Sequence, residues 1–362
     1  MKVLFVDHRY HAKTGSSHFL VDLLKRYFDV TVLYEDSLPP GKPLTSASLG
    51  VHAFDAVVVF QIGTGDLGRR IRHKNLVFFP MYDSLDSDSL SMWRRLQDVK
   101  VVSLSRAVHE KALSYGGNSL YVQYYPQNNS KISDEKTGRG VFFWPRNTGV
   151  TWKDVKLLMG NYDCGFVHLH KSADPGQNPE YPTEVESKAY NVQYSGWFPE
   201  KKQYLRLLET CTFFISPRLK EGVGISFLEA MSQGCVVIAA NRPTMNEYIS
   251  DGQNGLLFDP ANPTMLDFSE VLRISRNSID SAADGRARWR KSEEVLIDFI
   301  MTSGKSLKRT KGKGIVVIRR SVFDLGLIRR LRSFHLLKNM LPYGLVMTLK
   351  KRKDKASREK GG

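Results

Sequence analysis

The chain has 362 residues, enough for two domains of ordinary size, and its 41% hydrophobic and 25% charged content is that of a folded globular protein rather than a disordered one. Its three cysteines are odd in number and show no Cys-x-x-Cys or histidine spacing, which gives no disulfide framework and argues against a metal site. The formal charge of +16 is concentrated: residues 305–362 hold 18 Lys and Arg against 3 acidic side chains, while residues 1–304 hold 35 against 34, so the body is nearly neutral.

Residues 3–7 read as a buried strand, an apolar run too short for a signal peptide. Residues 8–17 read as a long polar loop containing Gly15, and residues 18–28 as a helix, with Phe19, Leu20, Leu23, Leu24 and Tyr27 at helical spacing. Strands follow at 30–34, 56–62, 76–80, 99–104 and 120–124, with helical patterns between them. That alternation predicts a parallel sheet with right-handed crossovers. Ser105 stands where an N-cap serine would open the amphipathic helix that follows it. Residues 126–140, rich in Asn, Ser, Lys and Gly, read as a hinge, and a second sheet opens at 141–144. Beyond it come a strand over 162–170, a proline-bearing polar insertion over 172–188 whose role the sequence does not give, a strand over 192–198 and a helix over 201–211. No run approaches the roughly 20 apolar residues of a spanning helix, so a cytoplasmic chain in a reducing compartment is expected.

The residue types hardest to explain by folding alone lie in Ser216-Pro-Arg-Leu-Lys-Glu-Gly-Val-Gly-Ile-Ser-Phe-Leu-Glu-Ala-Met-Ser-Gln-Gly. This stretch is flanked by apolar strands at 211–215 and 235–239, with a helix over 226–233, the strand–loop–helix setting in which open α/β sheets collect ligands. Gly222 and Gly224 let the backbone turn sharply and approach a bound group. The helix start offers unpaired N–H groups and partial positive charge that suit a phosphate. Glu221 and Glu229, seven residues between them, are placed to accept hydrogen bonds from vicinal hydroxyls. A phosphate seat flanked by two hydroxyl-binding carboxylates describes a nucleotide-sugar site; the bland alternative is a glycine loop and helix with two solvated glutamates.

Glu-Gly-Val-Gly-Ile-Ser-Phe-Leu-Glu-Ala-Met, followed by Gly234 and Val236-Val-Ile-Ala, resembles the E-x7-E signature of retaining glycosyltransferases of the GT-B fold, family 4 (glycosyl transferases group 1), of the bacterial surface-polysaccharide type. The resemblance implies an α/β chain of two Rossmann-like domains, their parallel sheets facing a cleft, plus a basic C-terminal extension. It divides the chain into an acceptor-side domain (1–125), a linker (126–140), a nucleotide-sugar domain (141–282), a crossover helix (283–304) and a basic amphipathic tail (305–362). Carried over, Glu221 contacts the donor sugar, Gly222, Val223, Gly224, Ile225 and Ser226 contact sugar and phosphate, and Glu229 holds the ribose. Arg146 and Lys153 match the pair that clamps the donor diphosphate and would neutralise the leaving group. Pro145 and Asp154 replace the family's glycines there, and Lys153 also reads as a plain exposed helix lysine. Gly196 matches the glycine beside the nucleotide base, and Gly15 is what remains of a glycine loop that faces the donor phosphates. The histidine usual after the fourth strand is missing; Tyr82 and Asp83 stand there, Asp83 reading equally as a loop carboxylate. His8, His11 and His18 are weaker candidates for acceptor contact.

The resemblance implies a transferase that moves a sugar, with retention, from a nucleotide-diphosphate sugar to a glycan or lipid-linked acceptor in surface polysaccharide synthesis, without metal or other cofactor. The alternatives are a catalytically degenerate binding subunit and a sugar-nucleotide epimerase. In the tail, Phe323, Leu327, Ile328, Leu331 and Phe334 interleave with Arg329, Arg330 and Arg332, a pattern that suits an anionic membrane surface and places the protein peripherally on the inner face of the cell membrane. The tail lacks the aromatic platform or helix-turn-helix pattern of a nucleic-acid binder; a solvated end is the remaining alternative.

Overall fold

The computed structural model describes residues 1–35, 44–62, 67–85, 90–127, 139–146, 148–171 and 178–302. The 305–362 tail, most of the 126–140 linker and residues 172–177 of the insertion lie outside them. The first half comprises β1 (Lys2–Asp7), α1 (Arg9–Thr14), α2 (His18–Lys25), β2 (Asp29–Tyr34), β3 (Ala56–Phe60), α3 (Leu67–Arg70), β4 (Leu76–Phe79), α4 (Leu90–Arg95), β5 (Lys100–Ser103), α5 (Arg106–Ser114) and β6 (Asn118–Tyr121). Its sheet runs β2-β1-β3-β4-β5-β6, every neighbouring pair parallel. Successive residues of β1 feed opposite faces: Val3 and Phe5 pack with Leu20 and Leu24 of α2, and Leu4 and Val6 with Val57, Val59 and Phe78. That double burial is why these strands read as unbroken apolar runs.

The second half comprises β7 (Gly140–Phe143), α6 (Trp152–Met159), β8 (Phe166–His170), α7 (Glu184–Ala189), β9 (Val192–Ser195), α8 (Lys201–Thr210), β10 (Cys211–Ile215), α9 (Ile225–Ser232), β11 (Val236–Ala240), α10 (Met245–Tyr248), β12 (Leu256–Phe258) and α11 (Val271–Met301). Its sheet runs β12-β11-β10-β7-β8-β9, again all parallel. The chain is therefore a pair of Rossmann-like α/β sheets, as expected.

Three local expectations are corrected. The polar stretch over 8–17 is not a loop throughout: residues 9–14 are helical, opened by Nδ1 of His8 accepting from Tyr10 N at 3.1 Å and closed by Gly15 at φ 70°, whose N–H donates to His11 O. The strand at 120–124 begins two residues earlier, in register with β5, and Tyr124 and Tyr125 leave the sheet to pack on α11. The strand at 162–170 begins only at Phe166.

α11, 31 residues long, joins the halves. Ser275 and Ser278 donate to the carbonyls of Gly234 (2.6 Å) and Cys235 (3.1 Å), small side chains that let the helix lie close behind α9 and β11. At its other end Nζ of Lys100, buried in β5, donates to the carbonyls of Phe299, Ile300 and Thr302 at 2.7, 2.8 and 2.6 Å, capping the helix from within the first sheet. No helix among the described residues is long and apolar enough to cross a membrane.

Candidate nucleotide-sugar site

In each sheet the strand order reverses once, between β1 and β3 and between β7 and β10. The carboxyl ends at such reversals open a crevice, and the loops that follow β1, β4, β7 and β10 supply the side chains there. After β4, Tyr82–Ser84 form a single 3-10 turn that presents Asp83. Its Oδ2 accepts from Nη1 of Arg218 in the second half at 3.1 Å, and its Oδ1 is buried with no hydrogen-bond partner among the described residues. A Cβ on Gly222 would stand 3.0 Å from that Oδ1 and 3.1 Å from Cβ of Met81. Glycine is thus what lets the 216–224 loop meet the first half so closely.

Burial raises the Asp83 carboxyl above its usual range, against the pull of Arg218. Glu221 next to it is pushed up to about 7, first by burial and further by the Asp83 charge, while Arg218 and Arg146 oppose the shift. Thr244 holds the loop in place by donating to the carbonyls of Glu221 and Gly222. Gly224 closes the loop at φ 74° as the N-cap of α9, where a Cβ would lie 1.9 Å from the Phe227 ring. Gly222, Val223 and Gly224 are buried, and Ile225 and Ser226 form the half-buried first turn. One turn on, Glu229 is buried, its carboxyl raised by desolvation and countered by the ion pair with Lys201 from α8.

After β7, Arg146 stacks on Trp144 at 4.1 Å to the ring centroid and lies within electrostatic reach of Glu221. The residue that interrupts the family's glycine pattern, Asp154, completes a capping box with Thr151 at the start of α6. Lys153 sits in that first turn with an exposed side chain. Gly196 is exposed after β9, with no atom within 4 Å of where a Cβ would stand. Beside it a cluster of aromatic side chains gathers: Trp144 edge-on to His170 at 4.6 Å, His170 stacked on Phe198 at 5.0 Å, and exposed Trp197, over which Lys13 of α1 stands at 5.4 Å. Gly15 is the left-handed cap of α1 in the first half.

Of the sequence-derived candidates, Asp83, Glu221, Gly222 and Arg146 are brought together. Gly224, Ile225, Ser226 and Glu229 follow along α9, while Lys153 belongs to the first turn of α6, Gly196 to the end of β9 and Gly15 to the cap of α1. Sequence reasoning passed over Arg218 and Thr244. Arg218 lies inside the quoted loop, and a cation three residues before Glu221 was the available signal. Among the described residues no three His, Cys, Asp or Glu side chains come together as a metal would require.

Residues 177–273 match the family model described as Glycosyl transferases group 1. This segment resembles a glycosyl transferases group 1 domain. The GT-B architecture extends over the whole described chain: the crystal structure of Anabaena Alr3699/HepE in complex with UDP superposes with a TM-score of 0.59 at 17% identity, over 82% of this chain and 100% of that one. The sucrose-phosphate synthase of Thermosynechococcus elongatus gives 0.55 at 13% identity, over 82% of this chain and 97% of that one. A stretch of 187 residues is 29% identical to the alpha-1,3/1,6-mannosyltransferase ALG2 of Dictyostelium discoideum, covering 44% of this GT-B chain and 43% of that relative, less than half of its length.

Proposed function

We propose that this chain transfers a sugar from a nucleotide-diphosphate sugar to a glycan or lipid-linked acceptor with retention of anomeric configuration, in the synthesis of a surface polysaccharide. The observation that carries the proposal is the loop Glu221 to Gly224, whose two glycines and desolvated carboxyl sit at the carboxyl end of β10 against the first half. The matched domain, the transferase relative and a neighbour of like fold titled as a UDP complex all support the same reading.

In the proposed reaction the sugar hydroxyls donate to Glu221, the ribose hydroxyls to Glu229 once Lys201 gives way, and the diphosphate rests on the amides of Gly222 to Ser226. Arg146 and Lys153 neutralise the charge that grows on the leaving diphosphate, a task the proposal assigns to these cations and not to a metal. Holding donor and acceptor in one crevice supplies orientation and excludes water. The basic tail at 305–362 would keep the enzyme at the inner face of an anionic membrane, beside a lipid-linked acceptor.

Thermal-shift screening against UDP, GDP, dTDP and their sugars, followed by nucleoside diphosphate release with the stabilising donor, tests the proposal. Turnover is expected, and Glu221→Ala combined with Glu229→Ala should lower kcat/KM by at least about 100-fold. Stabilisation by a nucleotide without diphosphate release would mark a binding subunit instead, and a C2- or C4-inverted sugar nucleotide would mark an epimerase.

A further inference from the structure

The 216–224 loop meets the first half where Gly222 abuts Met81 and Asp83, and a second route between the same two parts runs through α10, the four-residue helix after β11. At the near end of this route Thr244, fully buried, donates its hydroxyl to the carbonyls of Glu221 and Gly222, the latter at 3.2 Å. A hydroxyl has one proton, so the two carbonyls share it in a bifurcated bond that fixes two successive peptide planes of the loop. In a planar trans peptide the N–H points opposite to the C=O. Drawing these two carbonyls toward Thr244 therefore turns the amides of Gly222 and Val223 away from α10, and these are the first two amides on which the proposed diphosphate rests.

The far end of α10 is fastened to the first half. Three residues after Thr244, the Glu247 carboxylate accepts from Arg106 N and Ala107 N, the opening amides of α5, and from the Ser105 hydroxyl, while its backbone carbonyl accepts from Nε2 of Gln123. The next residue, Tyr248, is buried and packs edge-on against Tyr125 at 5.2 Å and against Phe227 of α9 at 5.7 Å, the ring that fills the space beside Gly224. Ser105 has the extended backbone of an N-cap and could cap α5 itself, yet it gives its hydroxyl to Glu247. A local cap is thus replaced by a carboxylate whose burial raises it above its usual range, a desolvation cost that capping α5 alone does not require. Thr244 and Glu247 stand within one helical turn, so a shift of α10 on α5 is a shift of the hydroxyl that aims the loop.

We propose that α10 is a strut that sets the donor loop against the first half, with Thr244 and Glu247 as its two positioning residues. Glu247 fixes where α10 stands on α5, and Thr244 passes that placement to the loop by aiming the amides of Gly222 and Val223. Neither residue touches the reacting atoms; both act through the loop. The inference rests on the transferase reading for what the loop holds, and on the hydrogen bonds alone for the coupling. Coupling of this kind is reciprocal, so a change at either end of α10 is felt at the other.

Amide hydrogen exchange of the full chain, without nucleotide, tests the coupling. Thr244→Val, which keeps the shape and removes the hydroxyl, should speed exchange at Arg106 and Ala107 by at least about threefold, and Glu247→Gln should do the same at Gly222 and Val223. Thr244→Ser, which keeps the hydroxyl, should stay within about 1.5-fold of the parent at all four. Exchange at Val57 to Val59, in the core of the first sheet, should not change in any variant, whereas a general loss of stability would speed it too. In turnover of UDP-glucose or GDP-mannose with water as acceptor, Thr244→Val should lower kcat about tenfold and change donor KM less than about threefold, since misaimed amides cost most when charge grows on the diphosphate. Thr244→Val combined with Glu247→Gln should lie within about twofold of the worse single variant, because both break one connection. Exchange changes confined to the substituted end, or losses in kcat that multiply in the double variant, overturn the strut and leave the transferase reading intact. A parent chain that turns over neither donor counts against the transferase reading, and the exchange measurements then decide the strut by themselves.

Discussion

Glu221 is a carboxyl held where ionisation is costly, and that has a consequence for stability as well as for donor binding. Its proton affinity rises from about 4.5 to about 7 on folding, mainly through burial. Between those two values the folded state binds more protons than the unfolded one, so this residue's contribution to stability falls as pH rises through the window and is fully unfavourable above it. Glu221→Gln removes the titration. The variant should melt at the parent's temperature at pH 4.5 and about 2–6 °C higher at pH 8, corresponding to about 1–2 kcal/mol once partial exposure is discounted. Thermal melts at the two pH values check this, and an equal difference at both would sink it. The carboxylate and the glycines beside it were legible in the sequence because their spacing is local, whereas Arg146 entered only through the family resemblance. Asp83 was readable only as one of two possibilities, since what decides its environment is Arg218, 135 positions away. His11 is a different case: its partner Asp7 is only four positions back, but the pairing looks like loop composition until the end of β1 and the first turn of α1 bring the two side chains together.

Helices and strands were legible wherever burial imposes periodicity, and their terminations were not, because the caps come from distant parts of the chain. Ser105, read as the N-cap of α5, makes no capping bond to that helix. Its hydroxyl donates to Glu247 of α10 at 2.8 Å, and Glu247 itself accepts from the first amides of α5, Arg106 N and Ala107 N (3.0 Å). A residue of the second sheet's α10 thus caps a helix of the first, and Gln123 Nε2 returns a bond to its backbone carbonyl at 3.1 Å. Glu247→Ala strands these partly buried donors and should cost about 2–3 kcal/mol, Glu247→Gln about half of that. Urea titrations should show the midpoint falling for both, and a broader, lower-slope transition for alanine if the clasp couples the halves. At the far end of α11, burial pulls the Lys100 ammonium down from 10.5 to about 7 while three carbonyls hold it. Here the unfolded chain binds the extra proton between about pH 7 and 10.5, so stability contributed by this residue rises with pH across that range. Lys100→Met should therefore fall further below the parent in urea midpoint at pH 9.5 than at pH 6.5; a gap that narrows with pH would contradict the assignment.

At the scale of the whole chain, the alternating strands made the two parallel sheets legible, and the neutral body with its basic end was visible from counting charges. The crevice was expected only through the family resemblance, because the cross-half contacts that line it, such as Asp83 to Arg218 and Lys13 to Trp197, follow no local pattern. Charge asymmetry supports a prediction of its own. A body near neutrality gives an anionic surface little to attract, so attachment would fall to residues 305–362, where 18 basic side chains alternate with short apolar stretches. Each basic residue near such a surface contributes about 1 kcal/mol before screening, and the apolar side chains between them supply the part that salt does not remove. Replacing Lys350, Lys351, Arg352 and Lys353 together by glutamine removes four charges and none of the apolar residues. In sedimentation with vesicles containing about 30% phosphatidylserine, the parent chain should partition onto lipid and the fourfold variant at least about tenfold less. Diphosphate release from a soluble donor should be unchanged, because none of the four belongs to the crevice loops. Raising salt should weaken the parent more than the variant, as fewer screened contacts remain to lose. Equal partition of both chains, or equal binding of the parent to pure phosphatidylcholine, would rule out an electrostatic membrane anchor and leave the tail as a solvated end.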